Sequence, residues 1–534
     1  MKRLLALFLC MLLTLLFTFA GAENEYAVSA PDVYVNAKDV VGGEKALYAD
    51  AQQALQAGRL IQALNDFGNL GNYEDSVSYA AYISARLMLL RHQNAKAIEA
   101  FAELGNFLDS RDYVMLAKKT AMHRFQLDGK FGFIDAAYKM IIPAKYDYVE
   151  RIFRLESRRA GDANCYMVTP VFQGQTVVGE QELVPLSGLY GLLRNDGKEI
   201  VPVSYDEVLW TEDGYAAVRD TAGVDVYDLI TGNMIAENLT AVGKIGQESF
   251  PVCSGTTWGF MKLSGEMLLE PAWEAALPFA DGYAAVGRGG LWGFVDESGK
   301  TVIEPAYQDA GSFSEGLAAV KVKKQWGFIN ARGEMVIAAK LRDVAQFRGG
   351  ICAVNSGGKW GILNAQGNWI LKPRYSEISD FDFINNRAWI RNNKLWGLIN
   401  LNGETIVKPS WNAYTPFDAD GMSCVMKSKK VGYVDVRGAV RISLRYQQGA
   451  PFSAGLGAVM DNNGVVTYVD KFGKGFVVDT DIPTECLAGF IESRKLSGIL
   501  DTQKDAVGND VQVDTRTYTH RLYDVNGVRI MPAP

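Results

Sequence analysis

The sequence predicts a mainly β repeat protein, built as an array of small units and preceded by a short α-helical segment. A Trp-Gly pair recurs five times, with its glycines 34, 34, 34 and 36 residues apart. Between the pairs, short β-branched runs alternate with turn residues, and none shows a helical period. A regular period of this length is typical of repeat architectures, in which neighbouring units share a continuous core.

We predict that the Trp-Gly pairs form the structural core of the repeat. A hairpin of this size is not stable alone in water, so each tryptophan must be covered by the next copy. The pairs are Trp258 with Gly259, Trp292 with Gly293, Trp326 with Gly327, Trp360 with Gly361, and Trp396 with Gly397.

Each unit is predicted to contain two to four short antiparallel strands. In the unit at 291–320, a hydrophobic run ends before Asp296, and Gly299 follows three residues later. Asp or Asn followed by Gly at this spacing predicts a hairpin turn, because Gly supplies the positive φ. A second β-branched run is closed by proline, as at Pro305, which we place at a strand end.

Weaker copies extend the array to about twelve units over residues 125–534. Tryptophan is replaced toward both ends, as expected if the terminal units act as caps. The weaker copies are centred near residues 131, 190, 224, 432, 468, 498 and 522.

The consensus of these units, WGF[IV][DN]xxGxxVIxPxYxxxxxFxxGxAxV, resembles the WG-repeat family of bacterial proteins. The resemblance implies a β-rich interaction module without a known catalytic motif, of a kind common in secreted and envelope proteins. We expect blades in a propeller or propeller-like ring, which hides strand edges. About twelve units exceed one ring of roughly 4–8 blades, so two rings or an open β-superhelix are the alternatives.

Residues 44–124 are predicted to be helical. The motif at 70–76 returns 34 residues later at 104–110, and the segment is similar to tetratricopeptide-type helical hairpins. Ala63 and Ala97 lie where helices must approach closely, and a glycine ends a helix in each copy. The segment is either a structural cap or a groove for a partner peptide.

The first 22 residues predict a secretory signal peptide, and residues 23–43 a linker. Lys2 and Arg3 precede an uncharged apolar run from Leu4 to Phe19, with a cleavage site near Ala22. We therefore expect a secreted, periplasmic or cell-envelope protein, with an uncleaved anchor as the alternative. No later apolar run approaches the ~18 residues of a membrane span.

The net charge limits the classes of partner that we expect. Removing Lys2 and Arg3 changes the net charge from −7 to −9, which argues against nucleic acid as a partner.

Five cysteines remain after the leader, and an odd number at wide spacing does not indicate a disulfide framework. A single disulfide is the alternative. They are Cys165, Cys253, Cys352, Cys424 and Cys486.

No catalytic, cofactor-binding or metal-binding residue is predicted. His92, His123 and His520 have no partner at metal-ligand spacing, and no nucleophile motif accompanies them. We interpret the protein as a non-catalytic scaffold that binds a protein or cell-wall glycan. A structural spacer or surface component and an envelope hydrolase are the alternatives. Three tryptophans outside the repeating position form the candidate binding surface: Trp210, Trp369 and Trp389.

Overall fold

The computed structural model describes residues 43–531, with gaps at 57–59, 91–93, 112, 115–116, 118–121, 136–137, 151–153, 156–166, 179–182, 195, 213, 419, 487–489, 498–499, 505–509 and 515. The chain divides into two compact units between Ala80 and Ala81. The predicted signal peptide, the linker before Gly43, His92 and Cys165 lie outside the described residues.

The helices come first in the chain, and their contacts repeat with the predicted period. Gly71 and Gly105 adopt φ of 57° and 61° just after α2 and α4 end. The helices are α1 (Gly43–Gln56), α2 (Leu60–Leu70), α3 (Ser76–Leu90) and α4 (Asn94–Leu104). The hydrogen-bonded and stacked pairs are Tyr48 with Asp75 and Phe67 with Tyr79 in the first copy, and Tyr82 with Asp109 and Phe101 with Tyr113 in the second. This confirms an internal helical repeat, while its tetratricopeptide character stays a prediction.

Twelve antiparallel sheets follow within the described residues. Eleven of them form a β-propeller arrangement, and we number these as blades 1–11. Blades 3–10 have four strands each, paired in chain order.

Blades 1–4 contain β1 (Met122–Leu127), β2 (Lys130–Asp135) and β3 (Met140–Tyr146); β4 (Tyr148–Val149), β5 (Arg154–Leu155), β6 (Met167–Val178), β7 (Leu183–Arg194) and β8 (Glu199–Tyr205); β9 (Glu207–Glu212), β10 (Tyr215–Arg219), β11 (Val224–Asp228) and β12 (Met234–Leu239); and β13 (Ala241–Val242), β14 (Ser249–Ser254), β15 (Thr257–Lys262) and β16 (Met267–Trp273).

Blades 5–8 contain β17 (Ala275–Ala276), β18 (Tyr283–Arg288), β19 (Leu291–Asp296) and β20 (Thr301–Tyr307); β21 (Asp309–Ala310), β22 (Ala318–Val322), β23 (Gln325–Ile329) and β24 (Met335–Leu341); β25 (Asp343–Val344), β26 (Ile351–Ser356), β27 (Lys359–Asn364) and β28 (Trp369–Tyr375); and β29 (Glu377–Ile378), β30 (Arg387–Asn392), β31 (Leu395–Asn400) and β32 (Thr405–Trp411).

Blades 9–11 contain β33 (Ala413–Tyr414), β34 (Met422–Lys427), β35 (Lys430–Asp435) and β36 (Val440–Tyr446); β37 (Gln448–Gly449), β38 (Gly457–Met460), β39 (Val466–Val469) and β40 (Gly475–Val478); and β41 (Phe490–Ser497), β44 (Thr517–Asp524) and β45 (Arg529–Met531). The hairpin of β42 (Leu500–Lys504) and β43 (Asp510–Asp514) interrupts blade 11.

Eleven blades lie within the described residues, compared with the prediction of about twelve units. The weak copy that we placed at 498–501 falls on β42, which pairs only with β43 among the described strands. That hairpin lies between β41 and β44 in the chain, but these two strands pair directly with each other. A turn-like sequence in an insertion thus imitated a repeat without adding a blade.

The glycine of each Trp-Gly pair is required by a bulge in the neighbouring strand. In blade 5, Trp292 pairs with Tyr307 and Phe294 with Ile303, so Gly293 alone faces three residues of β20. A Cβ on Gly293 would lie 2.5 Å from the Ile303 carbonyl oxygen and 2.7 Å from the Pro305 nitrogen. Gly293 is therefore conserved within the array by close backbone approach rather than by a positive φ.

This bulge also corrects the placement of the prolines. We expected Pro305 at a strand end, but it lies within β20, two residues before the last residue. Because β20 is the edge strand of its sheet and bulges at this point, the N–H that Pro305 lacks is not needed for a hydrogen bond of the ladder. Pro271, Pro373 and Pro409 occupy the same position in their strands.

The hydrophobic core lies between blades rather than within them. In one cluster, Phe294 and Ile303 of blade 5 pack with Val320 and Ile329 of blade 6. The next residue in the strand, Val295, faces the other way and joins the cluster shared with blade 4. Eleven such clusters among the described residues each join two consecutive blades, and one of them joins blade 11 to blade 1.

Polar contacts between neighbouring turns reinforce the same pairs of blades. The carboxylate of Glu315, for example, accepts hydrogen bonds from the backbone N–H groups of Gly349 and Gly350 at 2.6 and 2.8 Å. Equivalent bonds run 35 residues along the chain from Gly282 to Gln247 and from Gly316 to Asp281. The repeat thus aligns both its apolar and its polar inter-blade contacts.

The series of blades closes on itself through a buried ion cluster. Arg124 of β1 donates from Nε to Glu492 of β41 at 2.9 Å, and the two side chains are 0% and 1% exposed. Arg494 Nη2 lies 3.1 Å, and His520 Nδ1 2.7 Å, from the same carboxylate. Arg124 also donates to the Val149 carbonyl of blade 2 at 2.6 Å. This closure excludes the open β-superhelix alternative.

The protonation states in this cluster follow from burial and charge. Burial raises the pKa of the Glu492 carboxyl, but the charges of Arg124 and Arg494, with the His520 contact, outweigh it and hold that pKa well below its usual range. Burial lowers the pKa of His520, against the raising effect of Glu492. A neutral ring donates from Nδ1 to the carboxylate and adds no further positive charge.

We predict that Gly293→Ala destabilises the fold by about 2 kcal/mol or more, because its Cβ would overlap the β20 backbone. Gly311→Ala is the matched control, since a Cβ there meets only the Ala319 Cβ at 3.7 Å. Urea unfolding followed by circular dichroism measures both. Equal midpoints for the two variants would contradict the role of the bulge.

We predict that Glu492→Gln costs about 3–5 kcal/mol, because it leaves Arg124 and Arg494 buried without their carboxylate. Glu377→Gln should cost under about 1 kcal/mol, because the Glu377 and Arg391 side chains are 48% and 40% exposed. Unfolding midpoints in urea compare the two. A loss for Glu492→Gln no larger than that of the control would show that the cluster does not hold the closure.

Candidate binding site

Three of the five repeat tryptophans, Trp292, Trp326 and Trp396, lie at the margins of inter-blade clusters. All five indoles are half-buried, whereas we expected them in the core. The most buried side chain is found two residues later on the same strand face, as with Phe294 after Trp292 and Phe328 after Trp326, at 0% and 1% exposure. Trp326 is also covered by the Lys321 ammonium group, 5.1 Å from the ring centroid.

Trp389, which we assigned to the candidate surface, belongs to the core instead. It is 4% exposed and stacks on Tyr414 and Phe417, with ring centroids 4.2 and 5.2 Å away. In β30 it takes the strand position that small residues such as Ala285 occupy in other blades. That position faces the next blade, so a large ring there fills the space between blades 8 and 9.

Trp369 remains at the surface, where it is 38% exposed. It begins β28, an edge strand, and its Cζ3 lies 3.0 Å from the point where a Gly361 Cβ would be. The ring therefore covers the backbone of a repeat glycine. Trp369 is not among the residues that line the groove described next.

Trp210 lines a groove between blades 2 and 3. The groove has a volume of about 500 Å³ and is open to solvent. Trp210 lines the groove from β9 and Tyr190 from β7, and Trp210 also packs against the hydrophobic cluster between blades 3 and 4. The full set of lining residues is Glu150, Pro170, Tyr190, Asp206, Glu207, Val208, Leu209, Trp210 and Thr211.

The charge of the groove is acidic. Glu150, Asp206 and Glu207 line it, and none of the described lining residues is Lys or Arg. Glu207 pairs with Arg219 outside the lining at 3.3 Å, with both side chains about half exposed, whereas Asp206 forms no ion pair within the described residues. Burial raises the pKa of Tyr190, and the charge of Glu207 adds to this, so the phenol stays protonated.

The strand that borders the groove differs from its counterparts. The first strand of each of blades 4–10 has two residues, whereas β9 has six, Glu207–Glu212. In the described structure β9 pairs with β10 alone, so its other edge has no strand partner. Six consecutive residues, 206–211, line the groove, which places it along the strand edge rather than on one face, since a face exposes alternate residues.

Sequence reasoning identified Trp210 but missed Tyr190, Asp206 and Glu207. Tyr190 was assigned to a degenerate Trp-Gly pair, and the carboxylates looked like ordinary surface residues. A usable signal was the insertion before residue 185, which lengthens β6 and β7 to 12 residues each. Pro170 and Tyr190 reach the groove from these two strands.

The remaining reactive groups are dispersed. Among the described residues, no group of three or more His, Cys, Asp or Glu side chains could hold a metal ion. The four described cysteines are buried, and burial raises the pKa of the Cys352 and Cys424 thiols to about 12. They are Cys253, Cys352, Cys424 and Cys486.

Among the described helices, none is both long and apolar enough to cross a membrane.

Solved structures similar to this chain include propeller proteins at low identity. A eukaryotic initiation factor shares 12% identity over 64% of this chain and 92% of its own, with a TM-score of 0.37. Hsv2 of Kluyvelomyces marxianus shares 10% identity over 48% of this chain and 89% of its own, with a TM-score of 0.27. The WD40 beta propeller domain of Doa1 shares 14% identity over 43% of this chain and 92% of its own, with a TM-score of 0.22. No curated protein matches the chain.

The family comparison agrees with the blades. The family described as WG containing repeat matches residues 131–154, 190–220, 258–292, 292–325, 326–360, 360–396 and 396–430. These matches fall on blades 1–9, with the repeat tryptophans of the central blades at their starts. The chain therefore carries the WG containing repeat in seven matched segments between residues 131 and 430.

Proposed function

We propose that this protein is a secreted or cell-envelope scaffold that binds a protein or glycan partner without catalysing a reaction. A repeat β-propeller fits a non-catalytic binding role. The observation that carries the proposal is the groove between blades 2 and 3, where Trp210, Tyr190 and three carboxylates lie beside the β9 edge that has no strand partner in the described structure. The predicted signal peptide supports the location.

The groove fits a partner better than it fits a small metabolite. It is open and runs along a strand, whereas small-molecule sites enclose most of their ligand. Aromatic rings beside carboxylates can stack on a sugar or hold a basic side chain, and both are found in protein and glycan recognition. Trp369 does not line this groove and is therefore the weaker candidate for a binding residue.

We predict that a photo-crosslinking amino acid in place of Leu209 captures one defined envelope protein or glycan when the full chain is expressed with its own leader. Leu209 lines the groove. The same probe in place of Val344, on the short first strand of blade 7, is the matched control. Trp210→Ala should abolish the crosslink, and Trp369→Ala should leave it intact.

Several results would contradict the proposal. Identical crosslinks from both probe positions would show non-specific capture. A partner found only inside the cytoplasm would remove the envelope location, and a crosslink unaffected by Trp210→Ala would remove the groove. Circular dichroism of each variant confirms that it is folded before the crosslinks are compared.

A further inference from the structure

One edge of β9 has no strand partner in the described structure, and this edge indicates a class of ligand. We infer that the groove takes an extended basic peptide segment, which adds to β9 as a fifth strand of blade 3. This inference rests on the proposed binding function and specifies its partner. An unpaired strand edge presents a row of N–H and C=O groups, which is a template for another strand.

The length of β9 supports strand addition. A two-residue strand, such as β13 or β25, offers too few backbone groups to hold a peptide, whereas β9 extends over six residues. The groove follows this edge over residues 206–211, and the base of the β6–β7 ribbon forms its other wall through Pro170 and Tyr190. A strand lying between these two walls would have both of its faces covered.

A bulge in β9 limits how much of the edge is usable. Ala217 pairs with Trp210 and Val218 with Val208, so Leu209 is an extra residue without a partner in β10. The strand bends at such a bulge, which disfavours the long, flat pairing that leads to aggregation. The edge is therefore suited to a short segment rather than to continuous pairing with another copy.

The charges select the side chains of that segment. Glu150, Asp206 and Glu207 are the charged residues among those that the structure describes along the groove. Lys or Arg side chains on an added strand would meet these carboxylates, and the Tyr190 ring would contact their cationic groups or aliphatic stems. The periodicity of a strand, which directs alternate side chains to the same face, predicts basic residues at every second position.

The test uses the synthetic peptide (Lys-Val)₄ and the full protein, with binding measured by fluorescence anisotropy at fixed ionic strength. We expect (Lys-Val)₄ to bind and (Glu-Val)₄ not to bind. N-methylation of alternate backbone amides, which leaves every charge in place but removes one hydrogen-bonding edge, should abolish binding. The double variant Asp206→Asn, Glu207→Gln should weaken binding about tenfold.

A matched double variant controls for general charge. Asp309→Asn with Asp343→Asn removes two carboxylates from the first strands of blades 6 and 7, at positions equivalent to Glu207. This variant should bind (Lys-Val)₄ like the unmodified protein. Equal losses in the two double variants, or binding that survives N-methylation, would overturn the inference and show attraction to net charge alone.

The outcomes also separate this inference from the function on which it rests. Absence of (Lys-Val)₄ binding, with the Leu209 crosslink still lost in Trp210→Ala, would overturn strand addition while leaving the groove as a binding site. Absence of both would overturn both. Circular dichroism of the variants shows whether any loss reflects unfolding.

Discussion

The fold depends on apolar contacts that each blade makes with its two neighbours. Successive residues of a strand point to opposite faces, so Phe294 packs toward blade 6 and Val295 toward blade 4. A single four-stranded sheet of this size buries too little surface to be stable alone, and the clusters supply the missing burial from both sides. The last cluster joins blade 11 to blade 1, and the buried pair of Arg124 and Glu492 lies at the same junction.

The Trp-Gly pair connects this packing to the path of the chain. Gly293 lets the bulged segment around Pro305 lie directly on its strand, and the chain then passes from Tyr307 at the end of β20 to Asp309 at the start of β21. One residue therefore separates neighbouring sheets, which holds them close enough to share a core. Four of the five indoles face an aromatic residue across the bulge, and Trp326 faces Leu341. The motif shapes the strand, while the apolar residue two positions later, such as Phe294, fills the interior.

The period, the hairpin turns and the β-rich class could be predicted because they depend on local spacing. In many of the turns the side chain of Asp or Asn accepts backbone hydrogen bonds, as Asp296 does from Ser298 and Lys300. Burial was harder to predict, because it depends on which face meets the next blade, and this misplaced Trp389. The ring closure joins residues 368 positions apart, and the groove arises from an insertion that breaks the repeat, so neither has a signal in the period.

A double-mutant cycle tests the shared core most directly. Phe294 and Ile329 belong to one cluster but to different blades, whereas Val295 and Ile329 belong to different clusters. Combining Phe294→Leu with Ile329→Val should give an interaction energy of about 0.5–3 kcal/mol in urea unfolding, and combining Val295→Ala with Ile329→Val should give less than about 0.5 kcal/mol. Additive effects in the first pair, or equal coupling in both, would contradict a core built between blades.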